Sequence, residues 1–483
     1  MPTDRSVIGA VRWAAIGQGA RALVGLAQLL VLSRYLAPSD FGLIAIIGAV
    51  ITITQILADS GVGNALIHEQ YVEDDALSSV YWINLGVAIA LAILLLLFAP
   101  ILATAYRRPE LVTAMTGCAF AFLLLAASQQ FRVLAEKRLE FRKLACIDAV
   151  GVTIGFACAW RSATYGLGVH ALVIGQIVAA AATLALSLIL LRSGWRLSMR
   201  IRFTEFIQFA RFGIYSVLSQ LVNAVNAQAD LMVGGRTLDA DALGRYGVAR
   251  DLGLRVGQLL NPIATRVGFP VLASLQADEA AVRRVFLKVQ LMVCSINAPI
   301  YLGVSAFAPD IVRIAFDPSW EEVGTLLQVL ALIGLIRSAF NPLGSLILSA
   351  GRPEVAFRWN VGQLLLFPVF ALTGSAWGSI GLATSLLLLQ LLLLLPAWYF
   401  IVKPLCSAKL AEYLSMLARP LLLAAIATSI ATAIAAPFVH SAVRLTLALP
   451  VFLAAYAGLS SIFNRDFFTT ILSITGSARR KVC

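Results

Sequence analysis

Long apolar stretches alternate with short polar segments along the whole chain. Most of the 483 residues fall into apolar runs of about 18 to 30 residues, and most Lys and Arg lie between those runs. The longest run extends from Val361 to Val402 without a charged residue, enough for two helices of about 20 residues each, divided near Gly374 to Gly381. A soluble fold could not bury such a run, so the pattern predicts a polytopic membrane protein.

The apolar windows give about 14 candidate spans. Their centres lie near Gly25, Ile47, Ile93, Phe120, Gly155, Val178, Val222, Leu254, Ser295, Val329, Pro368, Leu389, Thr428 and Ala454. Backbone polar groups find no partner in hydrocarbon, and these runs are too uniformly apolar for the alternating strands of a membrane β-barrel. The sequence therefore predicts an all-α integral membrane protein.

Composition supports this class and gives no sign of an active site. The mean hydropathy is +0.88, and 13% of residues are charged, against roughly 25% in soluble domains. No cleavage site follows the first apolar run, so we expect the first helix to be retained. The six cysteines and three histidines show no metal-like spacing, and no GxxxxGK phosphate loop occurs. We therefore predict no catalytic residue, no metal and no cofactor.

Basic residues are divided unevenly between alternate loops. Of 37 Lys and Arg, 24, among them Arg132 after the fourth span, belong to the side that holds both termini, and five fall within spans or at their edges. The other side holds eight: Arg34, Arg107, Arg108, Arg161, Arg236, Arg245, Arg313 and Arg444. Because cytoplasmic loops are enriched in Lys and Arg, both termini are predicted to be cytoplasmic. The net charge of +12 then reflects this bias and anionic lipid, and we predict no nucleic-acid partner.

A weak internal repeat appears when the chain is shifted on itself by 202 residues. The shift aligns Gln18 with Gln220, Arg21 with Asn223, Gln28 with Asp230, Arg34 with Arg236, Leu36 with Leu238 and Gly42 with Gly244. Transporters are often built from such repeats. We predict a six-helix bundle over residues 1–203, a second over 204–403 that repeats it, and two further helices with a cytoplasmic tail over 404–483.

Polar residues form one stripe on each of the two aligned helices. The first stripe contains Gly17, Gln18, Arg21, Gly25 and Gln28, and that of the seventh span contains Gln220, Asn223, Asn226 and Asp230. Polar stripes avoid lipid, so we expect both to line one central hydrated cavity. Hydrogen bonding between helices that only holds the bundle together is the alternative.

Further charges fall in two later spans. The eighth span carries Arg250, Asp251 and Arg255, of which Asp251 and Arg255 have the i,i+4 spacing of an ion pair. Arg337 and Asn341 lie one turn apart and give another polar edge. Arg suits phosphate through its planar, always-charged fork, so an anionic cargo head is predicted.

Four segments resemble the oligosaccharide flippases of the multidrug/oligosaccharidyl-lipid/polysaccharide exporter superfamily, and most closely their Wzx-type branch. These segments are Leu57 to Gln70, Ser128 to Asp148, Asn261 to Gln276 and Arg337 to Asn360. Positions that match the family motifs are Asp59, Asn64, Gln129, Gln130, Arg132, Asn261, Arg266, Arg337 and Asn341. The resemblance runs along almost the whole chain.

The resemblance implies a bacterial inner-membrane protein that moves an undecaprenyl-diphosphate-linked oligosaccharide between leaflets, as two bundles rock around a central cavity. Polysaccharide polymerases and glycosyltransferases would be its partners. Under this hypothesis Arg21, Arg250, Arg255 and Arg337 bind the diphosphate, Gln18, Gln28, Gln220, Asn223 and Asn226 bond sugar hydroxyls, and Asn341 belongs to the same site. Asp59, Asp230 and Asp251 are candidates for ion coupling, although pairing with a nearby Arg explains such carboxylates equally well.

Two other functions compete with this interpretation. A multidrug antiporter of the same superfamily would share the fold, but it would need a more acidic cavity to hold cationic drugs. A polytopic glycosyltransferase or polymerase would act on the same lipid-linked sugars, and the acidic run Tyr71 to Asp75 superficially resembles the acidic pair of such enzymes. The charge distribution places that run inside, and no long external loop is predicted to hold a catalytic domain.

The shared-cavity hypothesis predicts aqueous access on the aligned helices. Cysteines substituted for Arg21 and Asn223, in a variant without the six native cysteines, should react with a membrane-impermeant thiol reagent. The measurement is the extent of labelling in intact membranes. Two unreactive cysteines that face lipid would exclude the shared cavity.

Overall fold

A computed structural model of the chain describes residues 4–59, 74–191, 198, 203–276 and 278–469. At 4–8, 10, 11, 59, 74, 76, 203–216, 219 and 258–270 it describes the backbone alone. Over the described ranges the chain is helical, and no strand occurs there. This agrees with the predicted all-α class.

Fourteen long helices lie within the described ranges, and each contains one predicted span centre. They are α1 Asp4–Leu32, α2 Pro38–Asp59, α3 Asp74–Tyr106, α4 Glu110–Lys137, α5 Phe141–Thr164, α6 Val169–Leu190, α7 Phe203–Thr237, α8 Ala240–Ala273, α9 Glu279–Ala315, α10 Glu322–Ser349, α11 Pro353–Ser375, α12 Gly378–Leu392, α13 Leu410–Ala435 and α14 Ser441–Phe463. The break between α11 and α12 falls where glycines were expected to divide the longest apolar run.

Short helical segments follow α12 and continue it to Cys406. They are Leu394–Ala397, the π-helical turn Trp398–Val402 and Lys403–Cys406. Pro396 and Pro404 flank the π-helical turn, and each lacks the backbone N–H that a regular helix would use.

Twelve helical stretches within the described residues are long and apolar enough to cross a membrane. The other two long helices, α7 and α8, have side chains described over only part of their length. Large apolar side chains are exposed on the spanning helices, for example Leu97, Leu365 and Leu422. Lipid is the solvent that tolerates this exposure, so the chain is a multi-pass membrane protein.

The chain divides into two compact units, residues 1–247 and 248–483. In the first unit α5 packs against α6 and α1, α4 packs against α3 and α6, and α7 packs against α2 and α3. The unit boundary lies within α8, whereas the repeat placed a boundary at residue 203, because α7 is packed on helices of the first unit. The division into two six-helix repeats and two added helices stays a prediction.

The beginning of α2 and the beginning of α8 approach each other closely in the first unit. A Cβ atom at Gly42 would lie 2.6 Å from the carbonyl oxygen of Ala240, and Gly244 lies against the carbonyl oxygen of Pro38. The backbone N–H of Ser39 donates to Asp241 Oδ1 at 3.0 Å. Gly42 and Gly244 are a pair that the repeat aligns, and only glycine permits so close an approach of two backbones.

Small residues also join α5 to α6. A Cβ atom on Gly155 would lie 2.6 Å from the Cβ of Ala179 and 2.7 Å from the carbonyl oxygen of Gly175. Gly151, one turn earlier, faces Thr183. Such spacing of small residues allows helices to pack through backbone and short side chains where no hydrophobic effect drives association.

In the second unit, α13 and α14 pack on α9. Ala424, Ala427 and Ala431 of α13 share one buried cluster with Phe452 of α14 and Tyr301 of α9. The hydroxyl of Tyr456 donates to the carbonyl oxygen of Ser295 at 2.7 Å, and Asn464 Nδ2 donates to the hydroxyl of the same serine at 2.8 Å. The last two helices are therefore an integral part of this unit.

The close contact of α5 with α6 predicts a strong effect of a larger side chain. Gly155→Leu should destabilise the protein by about 1–3 kcal/mol or more, because the added atoms meet backbone that cannot move aside. Thermal unfolding of the purified protein in detergent measures the change. Gly86→Leu is the matched control, since Gly86 is exposed and a Cβ atom there would meet no atom within 4 Å. Equal stability of the two variants would contradict the proposed packing.

Candidate functional site

A cavity of about 610 Å³, lined by both polar and apolar residues, lies within the first unit. Its walls come from α1 to α6 and include the polar residues Arg21, Thr52, Gln55, Tyr81, Asn84, Ser128, Gln129, Gln130, Arg132, Asp148, Gln176 and Thr183. The volume is in the range of pockets that bind small molecules. Apolar residues such as Phe122 and Leu125 complete the wall.

Most of the polar lining lies toward one end of the six helices. Asp148 is in the second turn of α5, Arg132 is in the last two turns of α4, and Tyr81 is in the first third of α3. The charge distribution predicts that these helix ends face the cytoplasm. The cavity therefore has its polar end near the predicted cytoplasmic side.

Close packing of α1 on α5 brings Arg21 to Asp148. A Cβ atom on Gly17 would lie 2.9 Å from the Cβ of Ala145, so the two helices touch there. Arg21 follows Gly17 by one turn, and Asp148 follows Ala145 by three residues, so both side chains reach the same level. The glycine of the predicted polar stripe is thus a packing residue that positions the arginine.

Asp148 bridges two arginines. Its Oδ2 lies 3.3 Å from Arg21 Nη1, and its Oδ1 lies 2.8 Å from Arg132 Nη2. Arg21 Nη2 also donates to Gln18 Oε1 at 3.1 Å. The exposed fraction of the side chain is 44% for Arg21, 18% for Arg132 and 13% for Asp148. Two guanidinium groups share one carboxylate, which leaves one positive charge in excess at the cavity wall.

Three buried polar atoms of lining residues have no hydrogen-bond partner within the described part of the chain. They are Arg132 Nη1, Gln130 Oε1 and Asn84 Oδ1. The orientation of Gln130 is fixed, because its Nε2 donates to the carbonyl oxygen of Leu77 at 2.7 Å. A buried polar atom without a partner is costly, so such atoms indicate a place where water or a ligand binds. The wall offers one cationic donor and two neutral acceptors.

The lining includes residues that sequence reasoning did not assign to a binding site. In the sequence, Gln129, Gln130 and Arg132 stand out only as matches to the family motifs, and nothing predicts a role for Asp148, Asn84 or Gln176. The charge distribution predicts a loop position for Arg132, whereas Arg132 lies inside α4. One signal was present in the sequence: the motif segment Ser128 to Asp148 begins and ends with residues of the cavity wall.

The polar stripe of α7 lies outside this cavity, whose lining comes from α1 to α6. Gln220 and Asn223 are exposed, whereas Asn226 and Asp230 are buried. Asp230 Oδ1 accepts from the backbone N–H of Leu231 at 2.9 Å, and the hydroxyl of Tyr246 donates to Asp230 Oδ2 at 3.2 Å. Gln28 of α1 is half-buried and is also not part of the lining. A cavity shared by α1 and α7 stays a prediction.

The predicted residues of the second unit form separate contacts. Arg255 Nε donates to Asp251 Oδ2 at 3.0 Å, which is the i,i+4 pair expected from the sequence. The guanidinium of Arg337 lies 6.0 Å from the ring centre of Phe367. Arg250 and Asn341 are partly buried. Roles of these side chains in binding or ion coupling stay predictions.

Four of the predicted or motif side chains lie outside what the structure describes, namely Asp59, Asn64, Asn261 and Arg266. Within the described residues no group of three or more His, Cys, Asp or Glu is arranged to hold a metal ion.

Comparison with known proteins gives a consistent family and fold. A family model described as "Polysaccharide biosynthesis protein" matches residues 31–325. The lipopolysaccharide biosynthesis protein WzxC of Escherichia coli is 28% identical over 421 residues, with 87% of this chain and 86% of that protein covered. The teichuronic acid biosynthesis protein TuaB of Bacillus subtilis is 27% identical over 381 residues, with 79% of each chain covered.

A solved structure described as "Lipid II flippase MurJ, inward closed conformation" has a TM-score of 0.71 to this chain. The sequences are 14% identical, and the match covers 95% of this chain and 100% of that one. At this identity the match shows a shared fold alone. Together with the family match, it confirms the resemblance predicted from the sequence.

The two ion pairs of Asp148 predict unequal losses of stability. Arg132→Leu should destabilise the protein by about 2 kcal/mol, because it leaves a mostly buried carboxylate with one longer ion pair. Arg21→Leu should cost less than about 1 kcal/mol, since Arg21 is more exposed and more distant. Thermal unfolding in detergent measures both changes. Equal losses of stability in the two variants, or a larger loss in Arg21→Leu, would contradict the deeper burial of the ion pair between Arg132 and Asp148.

Proposed function

Since the chain belongs to the family of polysaccharide biosynthesis proteins, we propose that it is a flippase for a lipid-linked oligosaccharide. The cargo is an undecaprenyl-diphosphate-linked repeat unit, moved from the cytoplasmic to the periplasmic leaflet of a bacterial inner membrane. Transport proceeds by alternating access, with both termini in the cytoplasm. Polysaccharide polymerases and glycosyltransferases act before and after this step.

The observation that carries the proposal is the excess positive charge in a cavity surrounded by apolar helices. A diphosphate with attached sugars cannot cross hydrocarbon unaided, because neither group finds partners there. Arginines that pair with phosphate oxygens replace part of its hydration, and amide side chains replace the hydrogen bonds of sugar hydroxyls with water. The polyprenyl tail stays in lipid while the head group passes.

The position of the charged group fits loading from the cytoplasm. Arg132 and Asp148 lie at helix ends that the charge distribution assigns to that side, where lipid-linked sugars are assembled under this proposal. The relatives named for lipopolysaccharide and teichuronic acid biosynthesis support a polysaccharide precursor as cargo. The excess positive charge disfavours the cationic drugs that a multidrug antiporter would carry.

A complementation experiment tests the proposal. In a strain that lacks this gene, lipid-linked oligosaccharide should accumulate with its sugars shielded from periodate added to spheroplasts, because periodate does not cross the inner membrane. The wild type should relieve the accumulation. Arg21→Ala and Arg132→Ala should give less than about a tenth of the wild-type relief, since one lost charge-assisted contact costs about 1.5–3 kcal/mol.

Arg313→Ala is the matched control, because Arg313 forms an exposed ion pair with Glu321 away from the cavity. Immunoblots of membranes verify that all variants are present in equal amounts. An unchanged level of lipid-linked oligosaccharide in the deletion strain, with loss of one sugar linkage, would replace the flippase proposal by an enzyme.

A further inference from the structure

Asp148 binds the two guanidinium groups that an anionic ligand of this cavity would need. Each of its carboxylate oxygens pairs with one arginine, at 3.3 Å from Arg21 and 2.8 Å from Arg132. A phosphate group also presents several oxygens to guanidinium forks. Carboxylate and phosphate therefore compete for the same N–H donors.

The donors are not fully used by the carboxylate. Arg132 Nη1 is buried and, among the described residues, has no hydrogen-bond partner. Arg21 remains 44% exposed despite its contacts with Asp148 and Gln18. A second anion can thus begin to bind at the exposed Arg21 before the carboxylate is displaced, and it meets a region with one positive charge in excess.

Neutral acceptors lie on the wall of the same cavity. Gln130 is 5% exposed, and its Oε1 has no partner within the described residues, while its Nε2 is held by Leu77. Asn84 Oδ1 is likewise buried without a partner in that part of the chain. Carbonyl oxygens cannot bind a phosphate oxygen, but they accept from hydroxyl groups. The combination matches a phosphate with sugar hydroxyls beside it.

From this arrangement we infer that Arg21, Arg132, Gln130 and Asn84 form a glycosyl-phosphate subsite, and that Asp148 is its internal competitor. The ligand phosphate displaces the carboxylate from the two arginines, and the carboxylate reclaims them when the ligand leaves. Asp148 thereby weakens the binding of the ligand to the subsite and promotes its release. The inference deepens the proposed function and rests on it for the identity of the cargo.

The affinity of the Asp148→Asn variant for glycosyl phosphate distinguishes a competing carboxylate from one that only positions the arginines. If Asp148 competes with the ligand, Asp148→Asn should bind glycosyl phosphate about tenfold more tightly than the wild type, which corresponds to about 1.4 kcal/mol. If Asp148 only holds the arginines in place, the same variant should bind more weakly. Arg132→Gln should bind about tenfold more weakly under the inference.

Isothermal titration calorimetry on the purified full-length protein in phosphatidylcholine nanodiscs measures these affinities, with glucose 1-phosphate as the probe. Inorganic diphosphate should bind more weakly than glucose 1-phosphate to the wild type, and this difference should vanish in Gln130→Leu.

Nanodiscs that also contain phosphatidylglycerol test whether a lipid headgroup is the occupant of the subsite. If that lipid abolishes glucose 1-phosphate binding, the site takes a headgroup and the inference is overturned.

Glu321→Gln is the matched control, because it removes the carboxylate of the exposed ion pair between Arg313 and Glu321, which lies elsewhere in the chain. This variant should bind glucose 1-phosphate as tightly as the wild type. If Asp148→Asn does not fold, Asp148→Asn combined with Arg21→Gln keeps the same net charge and should still bind at least as tightly as Arg21→Gln alone. Weaker binding by either Asp148 variant than by its parent overturns the inference.

These measurements are independent of the cellular test of the proposed function. A deletion strain without accumulated lipid-linked oligosaccharide removes the flippase proposal, whereas the affinity of Asp148→Asn decides the competition at the subsite. In cells, Asp148→Asn should restore less polymer than the wild type at equal membrane levels, because tighter binding slows release.

Discussion

A peptide group that enters hydrocarbon leaves its hydrogen-bond partners behind in water, and this constraint shapes every part of the chain. Helices satisfy the backbone internally, which is why the described residues contain helices and connecting turns. The same constraint acts on side chains. A charge such as Arg21 in a spanning helix must find a partner or water within the protein, and here it pairs with Asp148 at the wall of a cavity.

The cavity depends on how closely the surrounding helices pack. Without a hydrophobic effect between helices, α1, α5 and α6 approach through glycine and alanine. Contact at Gly17 and Ala145 sets the level at which Arg21 and Asp148 meet. Since the guanidinium groups, the carboxylate and the amides are distributed over α1, α3, α4 and α5, a small shift of one helix would change several distances together. Packing residues without any polar atom therefore determine the chemistry of the wall.

The sequence predicts the elements of this fold well and the composition of the site only in part. The hydrophobicity of a segment depends only on its own residues. The helices, and the break near Ser375, can therefore be predicted from the apolar runs of the sequence. Arg21 stands out as a charge within a span. Its partner does not, because the pairing with Asp148 depends on which helices become neighbours. The sequence predicts a loop position for Arg132, because the apolar run of α4 ends before the helix does.

Helical phase identifies a polar face but not what that face contacts. On α7, four polar residues lie on one predicted face, yet Asn226 and Asp230 are buried and Gln220 and Asn223 are exposed. Asp230 accepts a hydrogen bond from Tyr246 of α8, a contact that helical phase cannot show. The repeat offset likewise aligns Gly42 with Gly244, but only coordinates show that these two glycines lie at the same close approach.

The shared carboxylate also has a consequence for biogenesis. Arg132 and Asp148 lie on consecutive helices, so α4 and α5 can enter the bilayer as a hairpin in which the two charges already neutralise each other. Arg21 is synthesised long before Asp148 and enters the membrane without it. An arginine at the centre of an inserting helix costs about 2.5–3.5 kcal/mol, and for α1 the pairing with Asp148 can offset this cost only after α5 has arrived.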